Sequence, residues 1–419
     1  MSHVVIRGIP FATSLRAAKG GAKELLQRDR ARAQKFLAGT SHHTPSATVG
    51  EYSRRHGHQK GTATAPSTTV PSGTGGSSTG ANSSIDVTDS GVTYTMQVGV
   101  GNPATQYTLL IDTGSSNTWV GANLPYNPTT SSQDTGNTIN VSYGSGTMTG
   151  EEYTDTVTLG SNLVIQNQGI GVASSTQGFQ GVDGILGVGP VDLTQGTVSN
   201  TLDVPTVTDN LYAQGTISSD LLGVFYEPSS NANVPNGELT FGGTDNTKYT
   251  GALNTLPLTT TSPASRYWGI DQSVSYGTGQ TILNTTAGIV DTGTTLLLLA
   301  TEAFQAYQQA TGAVQDPNTG LLTITPQQYT NLQSLYFKIG GITYDFTPNA
   351  QIWPRSLNSI LGGNEGQIYL IVSDLGSSLG SGLDFINGFG WLQRFYTVYD
   401  TGKKRLGVAT TAYTNADTN

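Results

Sequence analysis

Two short stretches constrain this chain more than anything else in it. Residues 109–116 read Leu-Leu-Ile-Asp-Thr-Gly-Ser-Ser, and residues 287–295 read Ala-Gly-Ile-Val-Asp-Thr-Gly-Thr-Thr. Each is an apolar, β-branched run, which is the pattern of a buried strand. Each run ends in Asp-Thr-Gly and two hydroxyl residues. A carboxylate at the end of a buried strand is costly unless hydrogen bonds or a second group compensate it. Glycine allows the tight turn, and the hydroxyls that follow can donate to the carboxylate. One such stretch reads as a strand and a turn. Two of them read as a device that brings two carboxylates face to face. Like charges that close cannot both ionise freely, so one proton is shared, and one carboxyl becomes a base while the other stays an acid.

The rest of the chain narrows the chemistry. There is no Cys, so disulfides, thiolate catalysis and Cys-ligated metals are excluded. The five histidines (His3, His42, His43, His56, His58) all precede residue 60, so the remainder can build neither a Ser-His-Asp arrangement nor a His-ligated zinc site. Carboxylates, Tyr and Lys are left for acid–base work. No metal or other cofactor is expected. No apolar run reaches the roughly 18 residues of a membrane span.

Charge divides the chain. Residues 1–60 hold 11 Lys or Arg against 3 Asp or Glu, leaving 8 against 25 in the remainder, so a leader of net +8 precedes a body of net −17. The leader is attracted to the body at neutral pH. A body that acidic argues against nucleic-acid binding.

In chain order, residues 3–11 could form a strand, and residues 14–37 have helical spacing at Leu15, Ala18, Ala22, Leu25 and Leu26. No positively charged start followed by a sustained apolar stretch is visible, so no intact secretory signal is read. Residues 61–84 are almost all Gly, Ser, Thr, Ala and Pro, the composition of a flexible linker open to proteolysis. Asn82, Asn140 and Asn284 each begin a glycosylation sequon. From near Ile85 the chain alternates in short strands. Residues 139–149 read as a hairpin with a Gly-Ser-Gly tip. The run Gly184 to Gly189 suits a close backbone passage and is a weak phosphate cradle, since no Lys-Ser/Thr follows. Thr206 to Gly215 reads as a capped helix, Thr301 is expected to cap a helix closed by Gly312, and Thr325-Pro326 opens another. The halves repeat strands, an aspartate loop, a helix and an apolar-Gly strand (Ile185-Leu186-Gly187, then Ile386-Asn387-Gly388).

With these motifs in place, residues 85–415 resemble the pepsin-like aspartic proteases, and among them the fungal polyporopepsin type. The run Asp112-Thr113-Gly114-Ser115-Ser116-Asn117-Thr118-Trp119 is close to that family's N-lobe signature. The resemblance implies an all-β, bilobal double-barrel fold with a few short helices and a cleft between pseudo-twofold lobes. It implies that Asp112 and Asp291 are the catalytic pair, supported by Ser115 and Thr294. Thr113 and Thr292 would tie the loops together, and Gly114 and Gly293 would meet substrate backbone. Tyr143 would be the flap tyrosine bonded to Trp119, with Gly144, Ser145 and Thr295 contacting substrate. Asn102-Pro103 matches a position that is often cis. Two departures stand out. Asn387 replaces an apolar residue. Ser145 stands where members that accept a basic residue before the cut often carry Asp, which argues for apolar preference.

The basic leader resembles a pro-segment that blocks the cleft, although no single residue matches the Lys that usually does so. The expected organisation is therefore a pro-segment at 1–60, a linker with the activation cut at 61–84, an N-terminal lobe at 85–265 and a C-terminal lobe at 266–419. The expected product is a secreted, monomeric acid endopeptidase acting on proteins or peptides, with its own pro-segment as intramolecular inhibitor. Two rival readings are a catalytically silent pepsin-like binding protein, which would usually have lost an aspartate or the flap tyrosine, and a glycosidase, which would want more widely spaced carboxylates and a sugar groove rich in aromatics.

Overall fold

The computed structural model describes residues 21–39 and 83–419. Residues 3–11 and 14–20, most of the 61–84 linker, and Asn82 lie outside the described residues.

The alternating runs become strands in two main sheets. A thirteen-stranded sheet carries the first aspartate stretch, and a seven-stranded sheet carries the second. In the first, strand Thr105–Asp112 pairs in parallel with Gly184–Gly187, with Asp112 opposite Gly187. In the second, strand Gln280–Val290 pairs in parallel with Phe385–Asn387, with Val290 opposite Asn387. Each aspartate is thus launched from a strand that an apolar-Gly strand pins from the side. The pinning strands must pass close to the loops. A Cβ on Gly187 would lie 2.5 Å from the carbonyl carbon of Ser116, and one on Gly388 would lie 2.3 Å from the Leu296 carbonyl oxygen.

The sheets do not divide the chain simply by order. The last two strands, Phe395–Asp400 and Arg405–Thr410, join the thirteen-stranded sheet and pair with Leu221–Tyr226 and Thr250–Pro257. At the other end of that sheet segment, Ser83–Asp89 pairs with Val234–Phe241.

The helices follow their caps. Thr206 caps Val207–Ala213 in a capping box with Asp209, and Thr325 caps Pro326–Thr330 with Gln328. Thr301 differs from expectation. It is the first residue of the helix Thr301–Thr311, whose N-cap is Ala300, and its hydroxyl donates to Asp374 Oδ1 at 2.8 Å. A carboxylate from another strand competes for that hydroxyl and wins it. Gly312 closes the helix in the left-handed conformation, as its sequence position requires.

Asn387, the departure from the apolar pattern, is fully buried. Its amide donates to Gln272 Oε1 at 2.9 Å, and Gln272 returns a bond to Asn387 Oδ1 at 3.1 Å. The two amides satisfy each other across the sheet, so the polar residue is tolerated as half of a pair. Asn387→Leu alone should cost about 1–3 kcal/mol by stranding Gln272. Adding Gln272→Leu should recover most of that loss, as read by the denaturant midpoint.

Candidate active site

The two Asp-Thr-Gly loops meet between the sheets. The Thr113 amide donates to Thr292 Oγ1 at 3.0 Å, and the Thr292 amide donates to Thr113 Oγ1 at 3.0 Å. Thr292 Oγ1 donates onward to the Ile111 carbonyl at 2.8 Å, and Thr113 Oγ1 to the Val290 carbonyl at 3.4 Å. Each loop is therefore clamped by the other lobe's threonine.

This clamp aims both carboxylates into one space. Gly114 N–H donates to Asp112 Oδ1 at 3.0 Å, and Gly293 N–H to Asp291 Oδ1 at 3.1 Å. The hydroxyl of Ser115 donates to Asp112 Oδ2, and that of Thr294 to Asp291 Oδ2, the latter at 2.6 Å. Inner and outer oxygens thus play equivalent roles in the two halves. A Cβ on Gly114 would meet Asp291 Oδ1 at 2.7 Å, and one on Gly293 would meet Asp112 Oδ1 at 2.5 Å. Glycine is needed at both positions for the carboxylates to come together.

Above them lies Tyr143, fully buried, whose hydroxyl accepts a 2.7 Å hydrogen bond from Trp119 Nε1. Burial raises the Tyr143 phenol well above its usual range, so it stays neutral. The turn after it closes with a bond from Tyr143 N–H to the Gly146 carbonyl at 2.8 Å. Gly144 has φ +76° and lies against main chain, where a Cβ would sit 2.3 Å from the Ala31 carbonyl oxygen. Ser145 lines a cavity of about 580 Å³ together with Leu110, Phe179, Val182, Ile185 and Arg28.

The leader, expected from the resemblance to block the cleft, lies in this space, but the residue that meets the aspartates was not identified from the sequence. The leader helix α1, Gly21–Ala38, runs through the cleft with Leu25, Leu26, Asp29, Arg32, Ala33 and Phe36 buried. Arg32 reaches the carboxylates. Its Nε donates to Asp291 Oδ2 at 2.7 Å, and its Nη2 donates to Asp291 Oδ1 at 3.0 Å and to Asp112 Oδ1. A single guanidinium nitrogen therefore touches both inner oxygens. Burial would raise the Asp291 carboxyl, but Arg32, Thr294 and Gly293 outweigh it and hold it below the usual carboxylate range. Burial would lower Arg32, but the two aspartates raise it further above its ordinary value.

The neighbours of Arg32 complete the plug. Phe36 packs edge-on against Tyr267 at 4.7 Å, beneath the guanidinium. The Lys35 ammonium lies 5.2 Å from the Tyr143 ring centre, and burial, then Arg32, pushes it down to about 8. Asp29 Oδ2 accepts from the amides of Thr295 and Leu296 at 3.1 and 3.0 Å. Burial raises Asp29 to about 6. Thr295 Oγ1 accepts from Arg28 at 2.7 Å and donates to the Val92 carbonyl at 2.9 Å.

The signal for Arg32 was present in the leader. Positions 25, 29, 32 and 36 fall on one helical face, and two of them are charged. A cation and a carboxylate on the stripe meant to be buried call for buried partners of opposite charge or donor type.

Paired, clamped carboxylates of this kind belong to a known group of proteins. Residues 93–411 match the sequence profile of the eukaryotic aspartyl proteases. The chain belongs to that family. It is 60% identical over 341 residues to polyporopepsin of Irpex lacteus, covering 81% of this chain and all of that one. It is 32% identical over 334 residues to pepsin A of Rhinolophus ferrumequinum, covering 75% of this chain and 80% of that one. The crystal structure of the aspartic proteinase from Irpex lacteus superposes with a TM-score of 0.80 at 60% identity, covering 81% of this chain and all of that one. The fold of this aspartyl protease is thus the pepsin-like bilobal one, and the protein is an aspartic endopeptidase.

The side chains of Asn140 and Asn284 are exposed. Among the described residues no helix is long and apolar enough to cross a membrane, and no group of three or more Asp, Glu, His or Cys could hold a metal ion.

Proposed function

We propose that this endopeptidase is made as a zymogen, is secreted, works as a monomer at acidic pH and cuts protein or peptide chains between apolar residues, with Asp112 and Asp291 as its catalytic pair. The observation that carries the reading is the placement of Arg32 between both carboxylates. A leader that neutralises the reacting groups and fills the cleft inhibits by occupancy. The leader at 1–60 acts as the pro-segment, the cut falls in 61–84, and the lobes follow at 85–265 and 266–419. The cavity lined by Leu110, Phe179, Val182 and Ile185 supports an apolar preference. Exposed Asn140 and Asn284 suit glycan attachment during export.

Once α1 leaves, water takes its place between the carboxylates. The ionised aspartate takes a proton from that water while its oxygen attacks the scissile carbonyl carbon. The protonated aspartate gives its proton to the carbonyl oxygen, forming a tetrahedral diol. A proton then passes to the amide nitrogen, the C–N bond breaks, and the acid and amine products leave. The pair titrates as a unit, so the two steps share one proton between two groups. Tyr143, Gly144 and Ser145 close over the substrate and keep bulk water out, which strengthens the electrostatics inside.

The pH dependence of docking follows from the same contacts. Asp291 is depressed in the docked state, so the Arg32 contact stabilises docking at neutral pH and loses that contribution as pH falls through the depressed value. Asp29 is raised to about 6 and works in the opposite sense, gaining as pH falls below that value. Arg32 makes three charge-assisted bonds to the pair, so its contribution dominates and acid opens the cleft. Incubation at acidic pH followed by N-terminal sequencing should show a new terminus within 61–85. Full activity with the original N-terminus intact would refute it.

A second titration supports acidic working conditions. Asp89 is pushed up to about 7, chiefly by burial, against bonds from Gly91, Asn236 and Gln393. The folded chain therefore keeps a proton that the unfolded chain releases near pH 4. This contribution is fully present below about pH 4 and is lost as pH rises through about 7. Comparing melting temperatures at acidic and neutral pH, Asp89→Asn should flatten the fall expected of the parent by about 2–5 °C.

A further inference from the structure

The leader helix also touches the C-terminal lobe away from the carboxylate pair. Arg30 donates from Nε to the Asp374 carbonyl at 3.1 Å and from Nη2 to Asp374 Oδ2 at 3.4 Å. Gln34, one turn on, donates to the Gly376 carbonyl at 3.1 Å. Asp374 ends the strand Val372–Asp374, which pairs in parallel with Leu297–Leu299, the strand that follows the Asp291 loop. Its position relative to Asp291 is therefore fixed by sheet pairing.

The orientation of this carboxylate does not depend on the helix. Oδ1 already accepts from Thr301 Oγ1 at 2.8 Å and from Gly376 N–H at 2.9 Å. The loop is held further by Leu375 N–H on the Leu299 carbonyl and Thr301 N–H on the Ser377 carbonyl, at 2.8 and 2.9 Å. Oδ2 and the two carbonyls face α1 and lose those contacts when it departs. What is left is a preorganised, acceptor-rich corner with one negative charge, on a body of strongly negative net charge. It has already accommodated one guanidinium, because a chain lying in the cleft presented it.

We propose that Asp374, with the carbonyls of Asp374 and Gly376, forms a substrate subsite that selects a basic side chain at one fixed position away from the cut. The inhibitory helix and the substrate use the same cleft, so Arg30 stands in for the substrate residue. This preference is separate from the apolar one at the cut, which Ser145 and the cavity wall govern. The Arg30 and Asp374 side chains keep 42% and 20% of their exposure, so the pair is screened by solvent. The expected selectivity is therefore modest, about two- to fivefold. The proposal rests on the peptidase reading above.

The test uses the acid-activated full chain and a set of peptides with one apolar–apolar cut. Arg or Gln is placed in turn at each flanking position, and kcat/KM is compared at about pH 5, where ordinary carboxylates are ionised. One position should show an Arg-over-Gln ratio of about two to five. Asp374→Asn should bring that ratio to about one, and Asp374→Glu should keep most of it. Because the ratio is taken within one enzyme sample, a smaller folded fraction cancels. Equal ratios at every position, or a preference that survives Asp374→Asn, would overturn the subsite. A chain that cleaves none of the Gln peptides fails the peptidase reading, and this proposal with it.

Discussion

Replacing Arg32 with Gln should open the uncut chain at neutral pH. The parent, with α1 in the cleft, should bind a statine-type inhibitor such as pepstatin poorly before any cleavage. The Arg32 side chain is almost wholly buried and meets two fully buried carboxylates. Taking one partner from a buried ion pair typically costs about 3–5 kcal/mol, because the remaining charge is stranded. Here the stranded groups can share a proton, which limits the damage. A loss near the lower end of that range, about 3 kcal/mol, would raise the open fraction roughly a hundredfold. Contacts of Asp29, Arg28 and Phe36 remain, so the helix should loosen rather than vanish from the cleft. Arg32→Lys should retain much of the latency, since an ammonium still neutralises the pair, although it cannot bond in the same forked way. Inhibitor titration of the uncut chain, followed by protein fluorescence, separates these variants.

Exchanging either aspartate for Asn should remove hydrolysis while the fold survives. On the proposed mechanism each carboxyl performs a proton transfer, and such steps contribute about 10²–10⁴-fold apiece. The amide that replaces the carboxylate keeps the size of the side chain and an oxygen for the Gly114 or Gly293 amide. The melting temperature should therefore move little. Because the pair acts as one unit, the double variant should be about as slow as either single one. Near-normal casein digestion at acidic pH by either single variant would end the dyad account. The uncut Asn variants should also hold α1 less tightly, since Arg32 then faces one charge instead of two.

These effects trace back to what was readable in the chain and what was not. The Asp-Thr-Gly stretches were legible because strand, turn and hydroxyl donors are all local, within a few residues of each aspartate. Glycines 114 and 293 were legible for the same reason, and their steric need became visible only with the opposite carboxylate in place. The helix caps at Thr206 and Thr325 were local too. Thr301 misled because its hydroxyl answers to Asp374, 73 residues away. Asn387 looked like a packing fault because its partner, Gln272, lies 115 residues back. The return of the last two strands to the thirteen-stranded sheet is likewise a long-range pairing that no local pattern encodes. Arg32 was missed for a narrower reason. The resemblance points to a lysine, whereas the informative feature is a charged pair, Asp29 and Arg32, set on the buried face of an otherwise amphipathic helix.

The most direct test of a proton shared across the lobe junction is the pH dependence of kcat/KM for the activated enzyme on an uncharged peptide. Two coupled carboxyls require a bell-shaped profile, falling on the acid side when both are protonated and on the alkaline side when both are ionised. A profile with a single ionisation, or one that keeps rising through neutral pH, would contradict a mechanism built on Asp112 and Asp291 acting together.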